Sequence, residues 1–352
     1  MKNCHVVYLV CTAAMIATGL GAAPASAVPL THVVGPGESI QKAVDAAAPG
    51  DTVLLTPGIY RQSVRVSTPG LTLRGMGRST VITPGTAKAA ESCAAGGNGI
   101  CVTGTKEHPV TGVTVASLTV SGFTRSGVSA TATDRLTVRD VTAVRNKVWG
   151  IALERSVRSV LRDNTARGNG DAGLFLANTV TSEEGAADTA GTVVAGNRVA
   201  DNRIGVTVRR LRDLVVERNQ VTGNCAGLFL VGDENTPKAG DLTVRGNRIT
   251  ANNRSCPATD RLPALQGSGI VLTGVEKTLV TDNLVSGHAG TSPMSGGIVL
   301  FKSFVGTPGE QNRIERNTLR DNTPADLVNT ETATTNTFTG NTCAASRPAG
   351  MC

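Results

Sequence analysis

Short apolar runs separated by Asn and Gly recur along most of the chain at nearly constant spacing. The stretch 205–227, GVTVRRLRDLVVERNQVTGNCAG, shows the unit: counting its Gly-Val step as zero, Asn219 stands at +14, Asn224 at +19 and the next Gly-apolar step, Gly227, at +22. The same ruler laid at Gly150 finds Asn164 at +14, Asn169 at +19 and a new unit at Gly173. Units open at Gly99, Gly127, Gly150, Gly173, Gly205, Gly227, Gly269 and Gly297. With small loop allowances the +14 column reads Leu118, Val141, Asn164, Asn197, Asn219, Asn247, Asn283 and Asn317. The +19 column reads Phe123, Asn146, Asn169, Asn202, Asn224, Asn252, His288 and Asn322. Self-similarity at a fixed period of this size marks a solenoid.

Apolar residues keep step with the Asn columns. Val138, Leu161, Val194, Val216, Val244, Val280 and Ile314 stand three places before the first column, and Ala143, Ala166, Val199, Val221, Ile249, Val285 and Leu319 two places after it. Alternation with a period of two turns both sets inward, which predicts three short strands per coil around an apolar core. Parallel coils stack at the strand spacing of about 4.8 Å, so identical corner residues lie directly above one another. Asn carries a donor and an acceptor on one side chain and tolerates left-handed backbone, so a column of Asn can hydrogen-bond along its length and hold a corner. These Asn are therefore expected to be structural.

Before the repeats, residues 38–48 (ESIQKAVDAAA) place Ile40, Ala43, Val44 and Ala47 at helical spacing, and Pro49-Gly50 ends the run. A short amphipathic helix here predicts a plug for the open end of the core. Three strand-like runs follow over 52–55, 64–66 and 71–73, parted by Pro57-Gly58 and Pro69-Gly70. This entrance, GDTVLLTPGIY and then VRVSTPGLTLRG, resembles the first coils of secreted pectin-lyase-like right-handed parallel β-helix proteins. The repeats also resemble NosD-type β-helix repeats, and together the resemblance covers about residues 33–343. It implies an all-β chain: a single-stranded right-handed parallel β-helix, a three-sheet solenoid of about ten coils with an amino-terminal helical cap.

Composition then assigns the compartment. Lys2, the apolar run 6–20 and Ala25-Ser26-Ala27 are the three parts of a secretory signal peptide over residues 1–27, leaving 28–352 as one exported β-helix domain. Lys2 is the only ionised side chain in the leader, so the net charge of +7 becomes +6 in the mature chain. A basic balance suits an acidic polysaccharide or another cell-surface polyanion. Nucleic acid is disfavoured, since no Lys/Arg run or aromatic motif supports it and Tyr60 is the single mature Tyr. No membrane insertion is expected, and a monomer is. Six of the eight Cys remain after the leader, and an even number in an exported chain implies disulfides with fifteen possible connectivities. Sequence neighbours suggest Cys93–Cys101 and Cys343–Cys352, leaving Cys225–Cys256.

The ruler also locates a site by where it breaks. Insertions fall at 179–191, 232–240 and 302–311 after the Gly-apolar strand, and at 252–269 and 288–297 before it. Solenoids carry such insertions on their functional face, so the Gly-apolar sheet is predicted to be the floor of a groove. Pectin-lyase-like enzymes hold substrate over the corresponding sheet. Candidate groove residues are Glu154, Arg155, Phe175, Arg210, Phe229, Asp233 and Glu234 for substrate, with Arg209 or Lys302 as the base of an elimination reaction on a uronate polymer. The cofactor considered is Ca²⁺, held by Glu154 and Asp233 through a loop closure. Glycosidase chemistry needs two carboxylates at a set separation, and Glu154 lies three coils from Asp233, ~14 Å by strand spacing. His288 is expected to serve the corner.

No R-x-P-x-x-R, N-T-D, R-I-K or D-P-H-E motif is present, and Gly287-His288-Ala289-Gly290 only approaches G-H-G. An enzyme acting on acidic polysaccharide, with elimination as its chemistry, therefore stands beside a non-catalytic carbohydrate-binding or surface-binding solenoid as the alternative. NosD-like metal-site maturation is a third and weaker analogy.

Overall fold

A computed structural model describes residues 28–86 and 93–352. The leader expected over 1–27 lies outside the described residues. The chain winds through three long sheets of 12, 10 and 11 strands, in which every neighbouring pair is parallel and joins one coil to the next. The 11-stranded sheet is built from the Gly-apolar segments, among them Trp149–Glu154, Ala172–Ala177, Ile204–Arg209, Ala226–Val231 and Ser268–Thr273. The other two carry the apolar columns on either side of the first Asn column, which are fully buried: Val216 pairs with Val244, and Val221 with Ile249. The entrance strands run Thr52–Leu55, Val64–Val66 and Thr72–Arg74, with a further strand, Gly58–Arg61, that the pattern does not predict.

The helix spans Ile40–Ala46; its capping residue, Ser39, accepts from the Lys42 amide with Oγ at 3.2 Å. Ile40 and Val44 are buried in the main core cluster, so the amphipathic stripe packs against the first coils as expected. Tyr60 is buried beside them and donates to the carbonyls of Val34 and Thr56 at 2.8 and 2.9 Å.

Both Asn columns are continuous ladders. In the first, Nδ2 of Asn164, Asn197, Asn219, Asn247, Asn283 and Asn317 donates to Oδ1 of the Asn one coil on at 2.9–3.0 Å, so the column runs one coil past its expected end, to Asn341. Each Oδ1 also accepts the backbone amide of the Asn before it, as Asn219 does from Asn197 at 2.9 Å. Each Nδ2 reaches back to a strand carbonyl as well, as Asn219 does to Val194. The second ladder runs from Asn146 through Asn169, Asn202, Asn224 and Asn252 to His288 and Asn322. A third corner holds shorter polar contacts, Ser159 to Thr192 and Thr278 to Asn312 to Asn336, which the ruler does not reveal.

One expectation is corrected here. The left-handed backbone does not fall on the Asn but on the residue before it: Asp163, Arg218 and Asp282 in the first column and Arg145, Asp201 and Ala251 in the second have φ between 48° and 59°. That turn rotates the next amide and side chain into line with the coil above. The Gly of the Gly-apolar step answers the same ladder. A Cβ at Gly150 would lie 2.5 Å from the Gly173 carbonyl oxygen and 2.9 Å from Asn169 Nδ2, so only Gly fits beneath the stack.

The ladder makes two predictions. Asn219→Ala leaves the Asn197 amide and Nδ2, the Val194 carbonyl and Asn247 Oδ1 without this partner, at about 1–3 kcal/mol for each buried group that stays unsatisfied. A loss of more than about 3 kcal/mol in urea unfolding is expected. His288 is fully buried between Asn252 and Asn322, and burial lowers its pKa from 6.5 to about 4. The unfolded chain therefore takes up a proton below pH 6.5 that the folded chain refuses until about pH 4, and stability falls across that window by about 3 kcal/mol. His288→Asn, which restores the column, should remove that component from the pH dependence of unfolding.

Candidate active-site cleft

All five insertions meet over the 11-stranded sheet. They wall a cleft of about 450 Å³ whose lining includes Val180–Glu183, Gly232–Glu234, Arg261, Leu262, Met294 and Ser303–Val305. The strands supply its floor by register. Phe175 pairs with Thr207 and Thr207 with Phe229; two residues along the same face, Ala177 pairs with Arg209 and Arg209 with Val231. Cys225 is bridged to Cys256 with Cα atoms 6.0 Å apart, and Cys256 and Leu265 exchange backbone hydrogen bonds, which holds the 252–269 loop and its Arg261 and Leu262 at the wall. The other two bridges are Cys93–Cys101 and Cys343–Cys352, so all three pairings are as expected.

The charges expected along this edge separate into two groups. Most are bound to one another. Arg210 is buried; its Nε pairs with Asp233, its Nη1 donates to the Ser182 carbonyl at 2.9 Å, and its Nη2 lies 3.6 Å from Glu183. It locks the 179–191 loop to the 232–240 loop and has no charge free for a ligand. Asp233 also accepts from the amide and Nδ2 of Asn235. Glu154 Oε1 accepts the Val180 amide at 3.0 Å, and Arg155 pairs with Glu184, so both fasten the base of the first loop and neither lines the cleft. Glu154 and Asp233 are thus engaged separately, and among the described residues no group of three or more His, Cys, Asp or Glu is placed to hold a metal ion. Lys302 is exposed and outside the lining; the residues after it, Ser303, Phe304 and Val305, turn into the rim, where Phe304 is 65% exposed.

Arg209 forms the second group with Arg261. It lines the cleft, is only partly exposed, and its side chain makes no hydrogen bond or ion pair among the described residues. Burial, with Arg210 and Arg261 nearby, pushes its guanidinium below the usual value. Phe175 and Phe229 lie in the floor but are 7% and 2% exposed, so they exclude water rather than offer a ring face. Glu234 is exposed at the lip.

Three cleft residues escape the sequence pattern. Trp149 stacks on Phe175 at 4.3 Å between centroids, and its Nε1–H donates to Asp171 at 3.0 Å. Asp171 precedes its strand at the opposite edge from Arg209, and burial raises its carboxyl above the ordinary range. Arg261 comes from a loop whose direction no ruler specifies. The signal available for Asp171 is its place one residue before Ala172, stacked in register on Arg203 before Ile204.

These coils, sheets and ladders define a right-handed parallel β-helix protein. Residues 83–241 match the family model of the right handed beta helix region, and residues 177–347 match that of the periplasmic copper-binding protein NosD. No curated protein matches the chain in sequence. Among solved structures, the mannuronan C-5 epimerase A-module of Azotobacter vinelandii is 18% identical over 88% of this chain and 91% of that one, with a TM-score of 0.56. The alginate lyase of Paenibacillus sp. str. FPU-7 is 14% identical over 86% and 99%, with a TM-score of 0.59. DFA-IIIase of Arthrobacter chlorophenolicus A6, solved in complex with GF2, is 13% identical over 85% and 87%, also at 0.59. At these identities the likeness is one of fold.

Among the described residues, those lining the cleft offer no set of copper ligands. The six described Cys are paired in disulfides, Met294 is the one Met in the lining, and His288 is consumed in its ladder. Among the described residues no helix is long and apolar enough to cross a membrane.

Asp171 yields a stability prediction. Its folded pKa is raised, so the folded chain loses stability as pH rises from the unfolded value through the folded one. Asp171→Asn keeps an acceptor for Trp149 Nε1 and removes the buried charge. It should melt higher than the wild type at pH 7, with the difference vanishing in acid, as differential scanning calorimetry across pH will read.

Proposed function

We infer that the cleft binds an acidic polysaccharide, with Arg209 as the residue that neutralises a uronate carboxylate and Arg261 adding to the field. The observation that carries this reading is Arg209 itself: a guanidinium in a partly water-excluded cleft with no carboxylate at ion-pair distance, where Arg155, Arg210 and Arg212 around it each have one. An unpaired buried charge is costly, and an anionic ligand offsets that cost. Two of the three solved neighbours are named for alginate or mannuronan, which are uronate polymers, and this agrees with the reading. Export of the mature chain after Ala27 is part of the same proposal, supported by three disulfides and by the match to a periplasmic family model.

Elimination is the second reading, and the lowered pKa of Arg209 favours it. A group that takes the proton alpha to a carboxylate must lose its own, and desolvation beside two other arginines moves Arg209 in that direction. Without turnover the solenoid is a binding module.

A panel of pectate, alginate and glycosaminoglycan, assayed with and without Ca²⁺ for binding and for unsaturated-product absorbance, tests both readings. Arg209→Ala is expected to weaken binding at least about tenfold, the loss of one charged hydrogen-bonding partner, whereas Lys302→Ala leaves it unchanged. Product that disappears in Arg209→Ala identifies a lyase. If no acidic polymer binds, the reading is wrong.

A further inference from the structure

Among the described residues Phe304 is the one aromatic side chain that stands well out in solvent, and its neighbour Val305 is 54% exposed. A single exposed apolar residue is ordinary on a protein surface. These two are held in place. The Lys302 amide donates to Thr330 Oγ1 at 3.0 Å, and Ser303 and Thr307 are buried on either side of the tip. Within it, Ser303 Oγ accepts the Val305 amide at 3.3 Å, and Gly306, at φ 77°, turns the chain so that its amide donates to the Ser303 carbonyl. The anchored tip sets Phe304 and Val305 into the cleft lining. The Phe304 ring leans on Phe301, with centroids 5.2 Å apart and planes at 56°, a tilted contact that fixes the ring and leaves most of its surface in water. Phe175 and Phe229 are closed to a ligand by burial, so Phe304 is the aromatic surface that a bound chain can reach.

Register sets the distance from Arg209. Arg209 pairs with Val231 and Val231 with Thr273; Leu272 pairs with Leu300, so Phe301 takes the next place in the same row. Phe301 thus lies three coils from Arg209, about 14 Å at the strand spacing. Val231 and Thr273 line the cleft between them and carry no charge. A pyranose unit advances a polysaccharide chain about as far as one coil rises. A chain laid across these strands with one carboxylate at Arg209 therefore brings a ring three units along to the tip of the 302–311 loop. The C–H face of a sugar ring is apolar, and laying it on an aromatic ring takes both surfaces out of water. We propose that Phe304 is the stacking platform for that ring. The platform rests on the polyanion reading and deepens it: the cleft takes an oligomeric chain rather than a single acidic sugar, reading charge at one place and a ring face three units away.

The test uses the full mature chain with dimers and hexamers of galacturonate and of mannuronate, by titration calorimetry. For the hexamer that the wild type binds, Phe304→Ala is expected to lose about fivefold in affinity, the worth of one ring contact. The dimer, anchored at Arg209 and too short to reach the ring, should not register the change. Phe304→Leu keeps apolar bulk without a flat ring and should lose as much as the Ala variant, while Phe304→Trp holds or gains affinity. The new Trp also reports directly: its emission should shift on adding hexamer, beyond any change in the wild type, whose one Trp is Trp149, and stay fixed on adding dimer. Because the side chain is exposed, all three variants are expected to fold as the wild type does. Hexamer affinity that is unchanged in Phe304→Ala, or kept in Phe304→Leu, refutes the platform while the polyanion reading stands. An equal loss for dimer and hexamer refutes the spacing from Arg209 and the proposal with it. A wild type that binds a polymer but no hexamer overturns the platform, and one that binds no acidic polymer takes the polyanion reading down as well.

Discussion

The constraint on which the structure depends is the corner hydrogen bond between stacked Asn. Each Oδ1 takes both an amide and an Nδ2–H from the coil before, and each Nδ2 also reaches a strand carbonyl, so one side chain satisfies four buried polar groups at a place where the strand ladder is interrupted. Everything at that corner follows from the geometry. The preceding residue must turn left-handed, even where it is Arg145, Arg218 or Ala251, and the second residue of the floor strand must have no side chain. His288 survives in the second column because a neutral imidazole also has one donor and one acceptor at opposite edges.

A corner held that tightly confines variation to other places. Insertions enter at the two edges of the floor sheet, where a strand can end and a loop return without breaking the ladder. Loops of 9 to 17 residues would be mobile if left alone. Here they are fastened by Arg210 to Asp233, Arg155 to Glu184, Glu154 to the Val180 amide, and Cys225 to Cys256. The dense charge of this face is therefore largely internal. The lining cations left without a carboxylate, Arg209 and Arg261, are small in number, and Arg209 lies on rigid strand rather than on loop, which favours precise recognition.

The architecture was legible along the chain because a solenoid repeats one solution: Asn164, Asn197, Asn219 and Asn247 recur at the same offset, and period-two apolar residues keep step with them, so local pattern and tertiary position coincide. The five insertions, the floor strand and the Cys225–Cys256 bridge were readable for the same reason, as departures from a constant spacing. Side-chain allegiance within the insertions was not. Arg209 and Arg210 are adjacent in sequence and both reach the cleft wall, yet the strand's alternation and the left-handed turn at Arg210 leave one unpaired over the floor and bury the other against the loop carboxylates. Lys302 and Phe304 divide likewise at the rim, and Trp149 meets Asp171 only because consecutive coils stack. By itself the sequence determined the coil, its core and the face that bears the loops, since those follow from periodicity. Which charges are spent on each other and which are left for a ligand was decided only by tertiary structure, because pairing depends on distances between loops that share no register.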